Sequence, residues 1–178
     1  VSELPLLKEA ARFPVSVKDS EHDRLLGASP EIQVDHPQIR ALSNLLAQGE
    51  TDSWRLAKII NQWVYDNMDK ALLDTVTAVD ALRERRGECQ SHTYLFTALA
   101  RAAGIPTKIV NGLVYSEDYD GFLYHAWPEV FVGEWRALDP TLGQDRVDAT
   151  HIKLTENERE DPFKLMEFVS RVDIEIIE

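Results

Sequence analysis

The sequence contains a single cysteine, Cys89, among 178 residues. One thiol cannot form an intramolecular disulfide, and it excludes every zinc or iron–sulfur site that needs two or more thiolates. No run of about 18 apolar residues occurs, so we predict no membrane-spanning helix. No basic segment followed by an apolar one opens the sequence, so we expect no signal peptide within these residues.

Positive charge is also scarce. Nineteen lysines and arginines stand against 31 aspartates and glutamates, for a formal net charge of −12. Because phosphate binding needs clustered positive charge, we expect no nucleic-acid partner. The one basic cluster, residues 83–86, contains a glutamate and suits the last turn of a helix, where cations face the negative end of the helix dipole.

A chain of this length fits one domain spanning residues 1–178. Residues 1–35 are predicted to form an irregular N-terminal arm, because prolines and mixed charges interrupt any period. Apolar residues recur at helical spacing over 36–106, and the period changes to two over 107–178. Helices followed by an antiparallel sheet predict an α+β fold.

Capping residues, glycines and prolines delimit the predicted elements. The predicted helices run from about Asp35 to Gly49, from Asp52 or Ser53 to Asn67, from Ala78 to Arg86 and from Gly87 to Ala103, with a short one near 161–169. The predicted strands are Lys108–Tyr115, Phe122–Val132, Trp135–Asp139 and residues 172–176.

Cys89 falls at the predicted N-terminus of the most apolar helix. Unpaired N–H groups and the positive end of the helix dipole lie there, and both favour the thiolate over the thiol. The backbone N–H of Cys89 is also suited to stabilise an oxyanion. Most free cysteines are instead small buried hydrophobic residues, and position alone leaves both interpretations open.

His125 and Asp139 lie on consecutive predicted strands, downstream of Cys89. A thiolate nucleophile needs a base, and the base needs an acceptor that orients it, so the three residues can form a catalytic triad.

The register of the hairpin decides whether His125 and Asp139 can meet. A two-residue loop at 133–134 places them on opposite faces of the sheet. A three-residue loop at 132–134 makes them diagonal neighbours on one face, within reach of long side chains. The triad therefore predicts the three-residue loop, or a bulge near Pro128.

Several segments resemble the core of the transglutaminase-like superfamily. They are RGECQSH at 86–92, ALARAAGIPT at 98–107, HAWPEV at 125–130, then Trp135 and LDPT at 138–141. The resemblance extends over residues 54–141, with separated blocks in the right order. The segment DATHI at 148–152 is similar to the continuation in bacterial members.

This resemblance implies a papain-like core, with a helix carrying the nucleophile packed on an antiparallel sheet. It implies Cys89 as nucleophile, His125 as base and Asp139 as the residue that orients the base. The implied reaction is acyl transfer on peptide or isopeptide amide bonds through a thioester. Hydrolysis is slightly favoured over transamidation, because water is always available.

The resemblance implies a peptide or protein substrate and an extracytoplasmic location, with the cytoplasm as the alternative. A second hypothesis is a non-catalytic peptide-binding module that retains the triad, and a third is that Cys89 is simply part of the core. His92, three residues after Cys89, is an alternative base, and Trp127 could line the cleft or belong to the core.

No metal or other cofactor is predicted. Residues 118–121 begin like a calcium loop, but Phe122 and Leu123 occupy positions that need a ligand and a glycine. No phosphate-binding glycine loop occurs. No motif selects a second oxyanion donor among Trp54, Trp63 and Tyr65. The remaining histidines, His22, His36 and His151, show no metal-ligand spacing.

Overall fold

The computed structural model describes residues 20–72 and 77–156. Its helices are α1 (Ser20–Arg24), α2 (Pro37–Leu46), α3 (Ser53–Asn67), α4 (Ala78–Glu84) and α5 (Cys89–Ala102). Its strands are β1 (Asp69–Lys70), β2 (Arg86–Gly87), β3 (Thr107–Ser116), β4 (Gly121–Phe131), β5 (Trp135–Ala137) and β6 (His151–Thr155). The helix and strand predicted at 161–169 and 172–176 lie outside the described residues.

Side chains cap the helices that precede α5. His36 accepts a hydrogen bond from the backbone N–H of Gln38 at the start of α2, and Asp52 accepts one from Arg55 at the start of α3. Each bond satisfies a backbone donor that the first turn leaves unpaired. The helix starts predicted near 35 and 52 are therefore right to within about two residues, the usual uncertainty of helix ends.

The helix α4 ends earlier than predicted. Arg85 adopts a left-handed conformation, with φ of 53°, and its N–H bonds to the carbonyl of Ala81. Arg86 and Gly87 leave the helix as β2 and pair in parallel with β1. The predicted helical end at Arg86 is therefore two residues too long, and the chain turns sharply just before Cys89.

Besides β1 and β2, the elements α1 and β6 were not predicted. The helix α1 lies within the arm expected to be irregular, where the carbonyl of Leu25, just beyond it, accepts a hydrogen bond from the N–H of Thr107 at the start of β3. The strand β6 lies between the predicted strands 135–139 and 172–176 and pairs with the other edge of β3. A strand distant in the sequence therefore pairs with β6 and bonds to the residue that follows α1.

The main sheet is antiparallel, in the order β5-β4-β3-β6. The helix α5 packs against β3 and β4 on one side and against α2, α3 and α4 on the other. Leu95, Phe96 and Leu99 are fully buried in that layer, and each buried side chain of this size stabilises the fold by roughly 1.5–3 kcal/mol. The α+β prediction is confirmed, and the helix that begins at Cys89 is central to it.

No helix in the described part of the chain is both long enough and apolar enough to cross a membrane.

Candidate active site

Cys89 is the first residue of α5 and is half-buried, with a free thiol. Glu88, the residue before it, is extended and makes no side-chain capping bond. The first backbone N–H groups of a helix have no partner within the helix. The sulfur therefore lies at a helix end whose backbone donors can stabilise negative charge.

A buried hydrogen bond anchors this helix end to the sheet. Thr93 lies one turn after Cys89 and on the same helix face. Its hydroxyl donates to the carbonyl oxygen of Ala126 at 2.9 Å. Because Ala126 directly follows His125, this bond holds the start of α5 next to the histidine.

The hairpin has the register that the triad requires. Phe131 pairs with Trp135, so the loop contains three residues, 132–134. His125 and Asp139 then meet on one face, with Nε2 of the histidine 2.6 Å from Oδ2 of the aspartate. The exposed fractions are 4% for His125 and 0% for Asp139, so water is largely excluded from this bond.

Asp139 is held through both of its carboxylate oxygens. Oδ1 accepts hydrogen bonds from the backbone N–H groups of Thr141, at 2.7 Å, and Leu142, at 3.0 Å. Oδ2 faces His125 and His151. Burial alone would raise the pKa of Asp139, but the hydrogen bonds from these two histidines hold the pKa well below its usual range. The carboxylate is therefore ionised.

Asp139 and Cys89 raise the pKa of His125. Burial favours the neutral imidazole, but hydrogen bonds with Asp139 and Cys89 and the charges of both groups raise the pKa of His125 to about 9. Since Nε2 is bonded to Asp139, Nδ1 is the ring nitrogen left for the thiol of Cys89. At neutral pH an imidazolium therefore lies beside Cys89.

His151 belongs to this cluster, although its sequence spacing gave no indication of a site. Its side chain is 1% exposed, and its Nε2 lies 3.1 Å from the same Oδ2 of Asp139. The only available signal was its place in the segment DATHI, and spacing rules for metal ligands did not identify it. His125 on β4 and His151 on β6 are far apart in the sequence, so a spacing rule for neighbouring ligands cannot connect them.

Ligand atoms of His125, Asp139 and His151 all lie within 4.8 Å of one another. Two imidazoles and a carboxylate are a donor set that suits zinc and related metals. In this arrangement each imidazole bonds directly to Asp139, so the three side chains satisfy one another. If a metal binds, these are the residues that would hold it.

His92 does not support the alternative that it serves as the base. The ring is 1% exposed, its Nδ1 lies 2.8 Å from the carbonyl oxygen of Glu88, and it also bonds to the backbone of Met68. Burial lowers the pKa of His92, an effect that these backbone bonds only partly oppose. The residue connects the start of α5 to the chain after α3.

Trp127 lies beneath the site rather than along an open cleft. It is 2% exposed, and its ring stacks on His125 with centroids 6.0 Å apart. Of the suggested oxyanion donors, Trp54 and Trp63 pack against the hydrophobic core. Tyr65 is exposed, and its ring packs closely over Gly143, where a Cβ would lie only 3.0 Å from the ring.

The segment that begins like a calcium loop is a tight turn between β3 and β4. Asp120 has a left-handed conformation with φ of 47°, and its Oδ1 accepts a hydrogen bond from the hydroxyl of Tyr115 at 2.8 Å.

Known proteins with similar sequences include peptidases. The kyphoscoliosis peptidase of Mus musculus is 25% identical over 149 residues, which cover 75% of this chain and 22% of the relative. The kyphoscoliosis peptidase of Homo sapiens is 27% identical over 130 residues, 64% of this chain and 19% of the relative. The chain thus spans about a fifth of the length of these relatives.

Solved structures share the fold. A candidate cysteine protease from Cytophaga hutchinsonii superposes with a TM-score of 0.73 at 24% identity, over 85% of this chain and 52% of that one. The periplasmic domain of TgpA from Pseudomonas aeruginosa, bound to ethylmercury, has a TM-score of 0.55 at 26% identity, over 72% of this chain and 51% of that one.

The family pattern described as the transglutaminase-like superfamily matches residues 40–140. These residues include the start of α5, the strand with His125 and the turn with Asp139. They make up more than half of the sequence, and so the chain belongs to the transglutaminase-like superfamily.

Proposed function

We propose that this protein is a thiol enzyme that cleaves peptide or isopeptide amide bonds. Cys89 is the nucleophile, His125 the general base and acid, and Asp139 the residue that orients His125. The observation that carries the proposal is the continuous chain of hydrogen bonds from buried Asp139 through His125 to Cys89. A core cysteine would have no need of an oriented, positively charged imidazole.

The first half of the reaction is acylation. The thiolate of Cys89 attacks the carbonyl carbon, and the oxyanion forms next to the backbone N–H at the start of α5. The tetrahedral intermediate collapses as the C–N bond breaks, and His125 transfers its proton to the leaving amine. A thioester on Cys89 and a neutral His125 remain.

The second half is deacylation. Neutral His125 takes a proton from a water molecule, and the resulting hydroxide attacks the thioester carbonyl. The C–S bond then breaks, which releases a carboxylic acid and restores the thiolate and the imidazolium. An amine in place of water would give transamidation by the same steps.

We favour water as the acceptor. Two similar proteins, the kyphoscoliosis peptidase and the candidate cysteine protease, carry names that describe cleavage of peptide bonds. Because hydrolysis and transamidation share the thioester, they differ only in what reaches it. Mass spectrometry of peptides incubated with and without a primary amine distinguishes a gain of water from a gain of amine.

Alkylation of Cys89 tests the proposal without knowledge of the substrate. We expect iodoacetamide to label Cys89 rapidly at about pH 6, where an ordinary thiol is protonated and slow. The His125→Ala variant should lose this rapid labelling. An electrophile that mimics an amide should be trapped on Cys89, and the trapped enzyme then guides the choice of a peptide library.

The alternatives give different results. Slow labelling that His125→Ala leaves unchanged would contradict the enzyme and favour a peptide-binding module with an unused triad. If Cys89 were only a core residue, Cys89→Ala would change the free energy of unfolding and nothing else. The wild type would then show no rapid reaction with the electrophile.

A further inference from the structure

We propose that His151 is a positioning residue of the active site, which holds the Asp139 carboxylate in the orientation that His125 requires. The inference rests on the proposed function of Cys89, His125 and Asp139. It assigns a role to a residue of β6, a strand outside the segment that the family pattern matches.

The first argument is the saturation of Asp139. A carboxylate offers about four lone-pair positions, two on each oxygen. Thr141 and Leu142 occupy Oδ1 through their backbone N–H groups, and His125 and His151 occupy Oδ2. With all four positions filled, the carboxylate has one defined rotation, and loss of His151 removes one of two donors on the oxygen that His125 uses.

The second argument concerns the tautomers. An ionised carboxylate only accepts hydrogen bonds, so Nε2 of both His125 and His151 must carry a proton. In His125 this leaves Nδ1 as the nitrogen that exchanges a proton with Cys89. His151 therefore contributes a fixed donor to Asp139, while His125 faces the thiol.

The third argument is that His151 is itself held rigidly. Its ring meets Trp127 edge to face, with centroids 5.0 Å apart, and meets His125 at 5.6 Å. Its Nδ1 lies 3.3 Å from the hydroxyl oxygen of Thr150 and 3.4 Å from Oδ1 of Asp148. A side chain locked by packing and by hydrogen bonds can orient a neighbour, as outer groups do around metal ligands.

Few titratable groups surround His151 and Asp139 within the described residues. Asp139 faces His151 from the turn after β5, Asp148 faces it from the segment before β6, and His125 faces it from β4. From α5, Cys89 interacts with His125, and His92 interacts electrostatically with Asp139. A change at His151 should therefore reach the thiol through Asp139 and His125.

Two substitutions of His151 distinguish the contribution of its N–H donor from that of its aromatic ring. His151→Phe keeps an aromatic ring against Trp127 but has no N–H, whereas His151→Gln loses the ring and retains an N–H donor. His22→Phe is the matched control, because His22 also packs against aromatic rings, those of Phe131 and Trp135, outside the site. Circular dichroism checks that each variant is folded.

The measurement is the second-order rate of alkylation of Cys89 by iodoacetamide, from about pH 5 to about pH 10. We expect the rate at about pH 6 to fall about tenfold in His151→Phe, the size expected for a hydrogen bond to a charged group. The rate on the alkaline plateau should stay unchanged. His151→Gln should recover most of the loss, and His22→Phe should match the wild type.

Two results would overturn the role of His151: a His151→Phe profile equal to that of the wild type, or a His151→Gln profile as altered as that of His151→Phe. A merely structural histidine would lower the melting temperature in both variants and leave both pH profiles in place. If the proposed function itself fails, the wild type will already behave like His125→Ala, which distinguishes that failure from failure of the positioning role.

Discussion

At the scale of single residues, the site consists of one buried charge and the groups that respond to it. Asp139 is inaccessible to solvent, yet four hydrogen bonds keep it ionised. Hydrogen bonds with Asp139 and Cys89, together with the charges of both groups, outweigh the effect of burial and raise the pKa of His125 to about 9. A group with a well-shifted pKa in direct contact with a free thiol is typical of a catalytic site.

Replacement of Asp139 should disable the site without removing its backbone contacts. In Asp139→Asn the side chain keeps an acceptor for the N–H groups of Thr141 and Leu142 but loses its charge. We expect the rate of peptide cleavage to fall about a hundredfold or more, the usual contribution of general acid–base catalysis. Activity within a factor of two of the wild type would contradict the role assigned to Asp139.

The pKa of His125 can be measured directly by NMR. In Cys89→Ala the hydrogen bond and the charge of the sulfur are lost, so the pKa of His125 should fall below the value of about 9 in the wild type. In Asp139→Asn it should also fall, since the larger favourable contribution is removed. A His125 titration that is identical in all three proteins would show that the groups do not interact.

At the scale of secondary-structure elements, the site depends on the contact between α5 and β4. Thr93 makes that contact through a buried hydroxyl, and Thr97, one turn further along α5, has a buried hydroxyl with no hydrogen-bond partner in the described part of the chain. The two threonines therefore form a natural comparison.

We expect Thr93→Val to destabilise the protein by about 1–3 kcal/mol, because the carbonyl of Ala126 loses its buried donor. Thr97→Val removes an unsatisfied hydroxyl and should be neutral or slightly stabilising. Urea denaturation measures both values, and the alkylation rate of Cys89 should fall only in Thr93→Val. Equal effects of the two substitutions would argue against the anchoring role of Thr93.

The close packing of β6 against β3 requires a glycine at position 112. A Cβ on Gly112 would lie 2.1 Å from the carbonyl oxygen of Ile152 and 2.8 Å from the ring of Trp127. Backbone and a buried ring cannot move aside cheaply, so Gly112→Ala should separate β6 from β3 and draw His151 away from Asp139. Hydrogen exchange of β6 amides should increase, and labelling of Cys89 at about pH 6 should slow.

Retained pairing of β6 in Gly112→Ala would contradict this account. Gly121 offers a control, since a Cβ there would meet only the carbonyl oxygen of Tyr119 at an ordinary 3.7 Å.

At the scale of the whole molecule, the same charges should make stability depend on pH. His125 has a folded-state pKa of about 9 against an ordinary value of 6.5, so its contribution is complete below pH 6.5 and is lost as the pH rises through about 9. The pKa of Asp139 is lowered from 3.8, so its contribution is present above pH 3.8 and is lost as the pH falls below that value. The stabilisation by the pair is greatest between these limits.

We therefore expect the free energy of unfolding of the wild type to decrease between about pH 6.5 and about pH 9. In His125→Gln this part of the pH dependence should be reduced, because the titrating group is gone. Urea denaturation at several pH values measures both slopes, and parallel slopes would contradict the assignment to His125.

Local sequence determined most of what positions Cys89. The apolar pattern of 87–103, followed by Gly104 and Pro106, predicted α5 to within two residues at either end, because a buried helix with a defined stop is a local signal. Alternating residues predicted β3, β4 and β5 equally well, apart from their ends. Cys89, His125 and Asp139 were selected because the chemistry needs those residue types.

Only the tertiary structure decided how those residues meet. The sequence allowed a two-residue or a three-residue hairpin loop, and the structure has the latter, with Gly133 at a φ of 101° that suits such a loop. It also brought His151 to Asp139, through pairing of β6 with β3. A local period cannot report a register or a long-range strand pair, because both are determined by the packing of segments that are distant in the chain.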